Sequence, residues 1–168
     1  MKNSTTKIVS AALLAALCCI ATMVIKVPSP LNGYVNPGDC IVLLCGWVLS
    51  PMYGFLAAGI GSCLADLFSG YVVFAPATFL IKGLMAFFAY HGVRLLSSKI
   101  NKFSARLFTG IICEAFMVLG YYVFEGFLYG FIPSLVNIPA NAVQGLVGII
   151  LALILIRIVE KNKLLSSL

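Results

Sequence analysis

Five long apolar runs and one short one succeed each other along the chain, separated by brief polar stretches. The first, residues 8–27, is close to the ~20 residues that a bilayer core asks of a helix. It is longer than the ~7–15-residue apolar region of a secretory signal and has no small-x-small cleavage site before Lys26, so it predicts a retained transmembrane helix. Residue 17 is leucine, which also argues against lipoprotein cleavage before Cys18. The next stretch, "PSPLNGYVNPGD" (28–39), carries three prolines, two glycines and two asparagines and predicts a long, shaped loop. The short run 40–50 stops at Ser50-Pro51, and 52–68 follows almost at once, so the two form a tight helical hairpin. Run 40–50 cannot span a bilayer alone unless the preceding loop dips inward. Irregular backbone is tolerated there only where protein buries it or it lines a cavity. Further runs cover 75–96, with Pro76 in the first turn, 107–129, and 139–159, again with proline at its start. Between the fourth and fifth lies a polar, basic connector, "SSKINKFSAR". The expectation is an all-α integral membrane protein, one bundle of six transmembrane helices over residues 1–168, with no internal repeat and no second domain.

Composition agrees. Of 168 residues, 62% are hydrophobic and 10% charged, and mean hydropathy is +1.10. A water-soluble domain of this size would have a mostly apolar exterior, so the bilayer is the natural solvent. Charge then sets orientation. Placing the N-terminus inside puts Lys2, Lys7, Arg94, Lys99, Lys102, Arg106, Arg157, Lys161 and Lys163 in the cytoplasm, nine of the eleven basic residues. Both termini are therefore expected to be cytoplasmic. The net charge of +6 reads as orientation and contact with anionic lipid, not as a nucleic-acid footprint. Chain type and the lack of a eukaryotic targeting signal point to a bacterial plasma membrane.

Several chemistries are excluded. Cys18, Cys19, Cys40, Cys45, Cys63 and Cys113 form no C-x-x-C pair and read as small apolar packers. One histidine, His91, gives no metal site. There is no phosphate-binding loop and no Ser-His-Asp or Cys-His set, so no catalytic residues and no cofactor are expected. The chain does not hydrolyse nucleotide by itself.

The polar residues that remain gather at one end. Lys82 interrupts "TFLIKGLMAFFAY" (78–90), although a cation at mid-bilayer costs about 2.5–3.5 kcal/mol even on lenient scales. Of the five acids, only Glu160 sits in the basic tail. Asp39 begins the second helix, Asp66 ends the third, and Glu125 lies toward the outer end of the fifth, with Glu114 about three turns deeper. Glu114, Tyr121 and Glu125 share a helical face, with Tyr122 beside it, while Asn141 and Gln144 share another in the sixth helix. Tyr34, Tyr71 and Phe74 are available from the outer loops. A structural reading makes Lys82 and one carboxylate an interhelical ion pair, and the amides interhelical glue. Asp39 also reads as an N-cap behind Pro37-Gly38, Asp66 as support for the turn into "SGYVV", and Trp47 as packing. For the whole set, glue falls short: four acids face one lysine. A ligand-receiving cavity open to the outside accounts for them better.

Small residues form ridges on two helices. Ala11, Ala12, Ala15 and Ala16 mark the cytoplasmic half of the first, and Gly54, Ala58, Gly61 and Ala65 mark the third. Such ridges let another helix approach closely. The ridge on the third helix predicts packing inside the bundle; that on the first suits either packing or a docked partner.

The pattern resembles the substrate-binding (S) components of energy-coupling factor (ECF) vitamin transporters nearly end to end. The strings that carry the likeness are "NPGD" (36–39), "LADLFSGYVVFAPATFLIKG" (64–83) and "NIPANAVQG" (137–145), together with the alanine ridge and the loop before the second helix. They look like the hydroxymethylpyrimidine and pyridoxine subgroup. The resemblance implies high-affinity capture of a vitamin or precursor near the outer face, with the loop after the first helix as a lid. It also implies a transmembrane coupling protein, met by Ala11, Ala12, Ala15 and Ala16, and two cytoplasmic ATPases whose turnover topples the S component inward. Carried onto this sequence, the pocket residues are Asp39, Lys82, Glu114, Tyr122, Glu125, Asn141 and Gln144. Tyr122, Tyr71 or Phe74 would stack on a flat heterocycle, and Lys82 would pair with Glu114 or Glu125 or donate to ligand oxygen. The surplus of carboxylates disfavours an anionic cargo. Hydroxymethylpyrimidine leads, pyridoxine-type compounds follow, and a riboflavin-type S component is the alternative. A six-helix scaffold of the rod-shape type is the competing non-transport reading, but it needs neither a lid nor an acid-ringed cavity.

Overall fold

The computed structural model describes residues 4–31 and 33–161. Its main helices are α1 (Ser4–Val24), α2 (Asp39–Val48), α3 (Pro51–Phe68), α4 (Ala75–Ser97), α5 (Lys102–Tyr129) and α7 (Ile138–Lys161). Ahead of α7 come a single helical turn, α6 (Phe131–Ser134), and a 3₁₀ turn at Leu135–Asn137. Five segments are long and apolar enough to cross a membrane, and α2 is the short apolar helix beside them. Large apolar side chains such as Leu13, Val73, Ile112 and Val143 are exposed around the outside, the arrangement expected where lipid replaces water.

The short run reads differently in three dimensions. Helix α2 is the core of the bundle, buried continuously from Asp39 to Gly46 and packed on α1, α3, α4 and α7. It never has to face lipid, so its ten residues are no obstacle. Gly46 explains how it fits. A Cβ there would fall 2.4 Å from the Ala86 carbonyl oxygen and 2.6 Å from Ala89 Cβ of α4, so the two backbones meet with no room for a side chain. The ridge on α3 does pack inward: a Cβ at Gly61 would sit 2.4 Å from the Ala15 carbonyl oxygen of α1. Of the cysteines, Cys18, Cys40, Cys45 and Cys113 are buried as free thiols in this core.

Three boundaries depart from expectation. The first helix ends at Val24, not residue 27, because Val27–Pro28 (β1) pairs antiparallel with Tyr34–Val35 (β2). The Pro/Gly loop is thus a small hairpin laid over the outer end of the bundle. Helix α5 starts at Lys102, within the stretch read as a connector. Asn101 caps it, its Oδ1 accepting from Ser104 N at 2.9 Å, which satisfies one of the free first-turn amides. The segment before α7, read as loop, is largely helical. At the basic end, Arg106 makes a bidentate pair with Glu160 at 2.7 and 3.1 Å. Lys2 and Lys163, counted toward that end, lie outside the described residues.

Candidate functional site

The outer ends of α1, α3, α4, α5 and α7 enclose a cavity roofed by the hairpin. The cavity volume is about 40 Å³. That is well below the ~300–1,000 Å³ usual for small-molecule sites, because the hairpin closes over it.

Lys82 is the floor. It comes from the second turn of α4, is 3% exposed, and pairs with Asp39 of α2, not with Glu114 or Glu125. Helix α2 presses against α4 along Gly46, which brings Asp39 to the lysine's level. The Asp39 carboxylate does not cap α2: Gly38 is the N-cap residue and no side chain caps the helix. Its second oxygen accepts from Gln144 Nε2 at 2.7 Å. The ammonium lies 5.3 Å from the Tyr121 ring centroid, within cation–π range. Tyr121 in turn shares a hydrogen bond with Thr78 at 3.0 Å.

The same network reaches the roof. Gln144 Oε1 accepts from the backbone N–H of Asn36 at 2.9 Å. Asn137 Oδ1 accepts from Leu31 N at 3.4 Å, and its amide donates to Glu125 Oε1 at 3.0 Å. Tyr34, on β2, donates to Asp66 Oδ1 at 2.7 Å, while Lys26 donates to Ser69 at 3.0 Å. Burial, then the neighbouring Asp66 carboxylate, push the Tyr34 hydroxyl above its ordinary pKa, so it stays protonated as the donor. These bonds latch the hairpin to the end of α3, to the 3₁₀ turn and to α7, and Glu125 of α5 holds that turn through Asn137.

Four expected residues line the cavity: Lys82, Glu125, Asn141 and Gln144. Two lie behind it. Asp39 is bonded to Lys82 and Gln144, and Glu114 is buried against Gly145 and Gly148 of α7. Tyr122 is elsewhere, its ring packed on Phe131 at 5.9 Å between centroids. Tyr121, one position earlier, lines the cavity. Sequence reasoning gave Asp66 a supporting role in its turn. Its backbone carbonyl does accept from Tyr71 N at 2.9 Å, but its side chain also lines the cavity. Thr22, Ser62 and Thr78 were missed; each is a small hydroxyl inside an apolar helical run and carried no signal of its own. Tyr34, Tyr71 and Phe74 make a continuous aromatic wall, with successive centroids 4.7 and 6.5 Å apart.

Several acceptors remain open. Asp66 Oδ2, Glu125 Oε2 and both oxygens of Glu114 are buried with no donor among the described residues. A buried acceptor left unpaired costs about 1–3 kcal/mol, and more when charged. The first two belong to cavity walls, so the site suits a flat ligand rich in N–H and O–H donors. Among the described residues no His, Cys, Asp and Glu group is placed to hold a metal ion.

Comparison with known proteins gives a consistent picture. The family model described as "ECF-type riboflavin transporter, S component" matches residues 2–161. A Pyrococcus woesei protein described as "Uncharacterized protein in gap 3'region" is 32% identical over 133 residues, covering 79% of this chain and 86% of that one. Among solved structures, the S component of a bacterial ECF transporter superposes with a TM-score of 0.77 at 24% identity, over 95% of this chain and 98% of that chain. The S component for biotin from an ECF-type ABC transporter superposes with a TM-score of 0.63 at 16% identity, over 94% and 95%. At these identities the two structures bear on the fold alone.

Proposed function

The chain belongs to the family of ECF-type riboflavin transporter S components, and from that premise we propose that it captures riboflavin from outside the cell in the cavity beneath the hairpin. An S component is a multi-pass subunit of a plasma-membrane vitamin transporter and is not itself an enzyme. The ligand is the proposed part. The family match, which spans nearly the whole chain, carries it, and it favours the riboflavin alternative over the hydroxymethylpyrimidine and pyridoxine readings.

The cavity's chemistry supports the choice. An isoalloxazine ring is flat and would stack on the wall of Tyr34, Tyr71 and Phe74. The ribityl hydroxyls and the ring N–H are donors that match the open oxygens of Asp66 and Glu125. Lys82 and the amide groups of Asn141 and Gln144 would donate to the ring carbonyls and ring nitrogens. A tricyclic ring does not enter while the hairpin is latched, so binding requires the hairpin to lift and close again. A single-ring ligand of the hydroxymethylpyrimidine or pyridoxine type is the second reading, favoured by the narrow cavity.

Assembly follows the same reading. Ala11, Ala12, Ala15 and Ala16 line an apolar groove between α1 and α3, where we place the transmembrane coupling protein, with energy supplied by two separate ATPases. Calorimetric titration of the detergent-purified chain, from cells grown without vitamins, tests the ligand. Saturable, tight binding of riboflavin, with hydroxymethylpyrimidine, pyridoxine and thiamine at least a hundredfold weaker, is the expected result. Preference for a single-ring compound would establish the second reading, and no binding to any by folded protein would overturn both.

A further inference from the structure

A second cavity opens at the opposite, basic end of the bundle, between the start of α1, the α2–α3 corner and the end of α4. It holds about 770 Å³ of empty space, mouth included, and the capture cycle described above makes no use of it. Among the described residues its walls carry two cations, Lys7 and Arg94, and no carboxylate. Neither cation has an acidic partner within salt-bridge distance among the described residues, whereas Arg106 at the same end is paired with Glu160. Arg94 is held with its guanidinium 4.2 Å from the Tyr90 ring centroid, so its direction is fixed and its donors remain available. Ser50, at the corner, makes no capping bond to α3. Trp47 also lines the cavity, and its indole N–H is buried with no acceptor among the described residues. Cations and unused donors without acids make an anion site.

We propose that this cavity takes the phosphodiester headgroup of an anionic phospholipid from the cytoplasmic leaflet. A lipid fits better than a soluble phosphate for two reasons. The cavity lies at the end where the basic residues gather, the depth of the inner headgroups under the positive-inside rule. Trp47, Tyr53 and Tyr90 line it together with Val48, Leu49 and Val93, giving an aromatic and apolar surface for the glycerol and first acyl carbons. Basic pockets between helices on the cytoplasmic side suit such headgroups. The headgroup would tie α1, the α2–α3 corner and α4 together at their inner ends.

The test is thermal unfolding of the purified full chain in neutral detergent, titrated with phosphatidylglycerol, phosphatidylcholine or inorganic phosphate. Wild type is expected to melt several degrees higher with phosphatidylglycerol and to be unmoved by the other two. Lys7→Gln and Arg94→Gln should each raise the phosphatidylglycerol needed for half the shift by about fivefold, with Lys99→Gln, an exposed cation outside the cavity, unchanged. Should Arg94→Gln fold poorly, Arg94→Lys is expected to restore folding and part of the response. Equal shifts from phosphatidylcholine, an equal shift from inorganic phosphate, or an equal loss in Lys99→Gln would each overturn the proposal. None of these outcomes depends on riboflavin, so failure here leaves the ligand reading untouched.

Discussion

A lysine that is 3% exposed among apolar helices needs a counter-ion, and the sequence offers four carboxylates at the right end. Which one it meets depends on how closely α2 and α4 pack, and that is set by Gly46 against Ala86, a contact no spacing rule reveals. Removing one partner of a buried pair strands the other charge, at about 3–5 kcal/mol. Lys82→Met is therefore expected to lower the melting temperature steeply, and Asp39→Asn in the same chain to recover most of the loss. A double variant no more stable than the single one, measured by thermal unfolding in detergent, would refute the pairing. The tyrosines illustrate the converse, where the sequence was readable and its weight misplaced. Tyr121 is seven residues from Glu114 and four from Glu125, so helical periodicity sets it on their face, while Tyr122 is turned by about 100°. Tyr121→Leu should weaken riboflavin binding at least threefold to tenfold, the usual worth of an aromatic contact, and Tyr122→Leu should leave it near wild type. Equal losses, compared by titration, would count against the cavity wall described for α5.

The long helices were legible because length and hydropathy leave little choice in a bilayer. The hairpin was legible only as a loop: its strands are two residues each, too short for any alternation to register. The start of α5 was hidden because Lys102, Ser104 and Arg106 read as polar linker, whereas Asn101 at its edge is a good cap. The hairpin's hold on the bundle runs through Gln144, which accepts from Asn36 and donates to Asp39. Gln144→Ala removes both bonds at once. It is expected to speed riboflavin release without slowing capture, because the latch closes over the bound ligand but has to open before the ligand enters; stopped-flow fluorescence separates the two rates. For α1, Ala12 and Ala16 are exposed on the groove shared with α3. Replacing both by leucine should abolish co-purification with the coupling protein and leave riboflavin affinity unchanged. Retained assembly would move the docking surface elsewhere.

The molecule as a whole has two ends with different chemistry. One holds four of the five acids with Lys82, and the other holds the bulk of the basic residues; the positive-inside rule turns that asymmetry into an orientation. This polarity, the six main helices and the gathering of polar residues at the end opposite the basic one could all be read from the sequence alone. The central place of α2 could not, because an apolar run of ten residues looks the same whether it is surrounded by lipid or by protein. The ligand was legible only as a class, since donors and acceptors on helix faces fix what a cavity recognises but not how wide it opens. Hydrogen–deuterium exchange of the purified chain, with and without saturating riboflavin, tests the central claim most directly. Protection is predicted at the hairpin amides, Leu31 and Asn36 among them, and in the outer turns of α4, α5 and α7, with no change at the inner ends. Binding that leaves the hairpin's exchange unaltered, or that protects the basic end instead, would contradict capture beneath the hairpin.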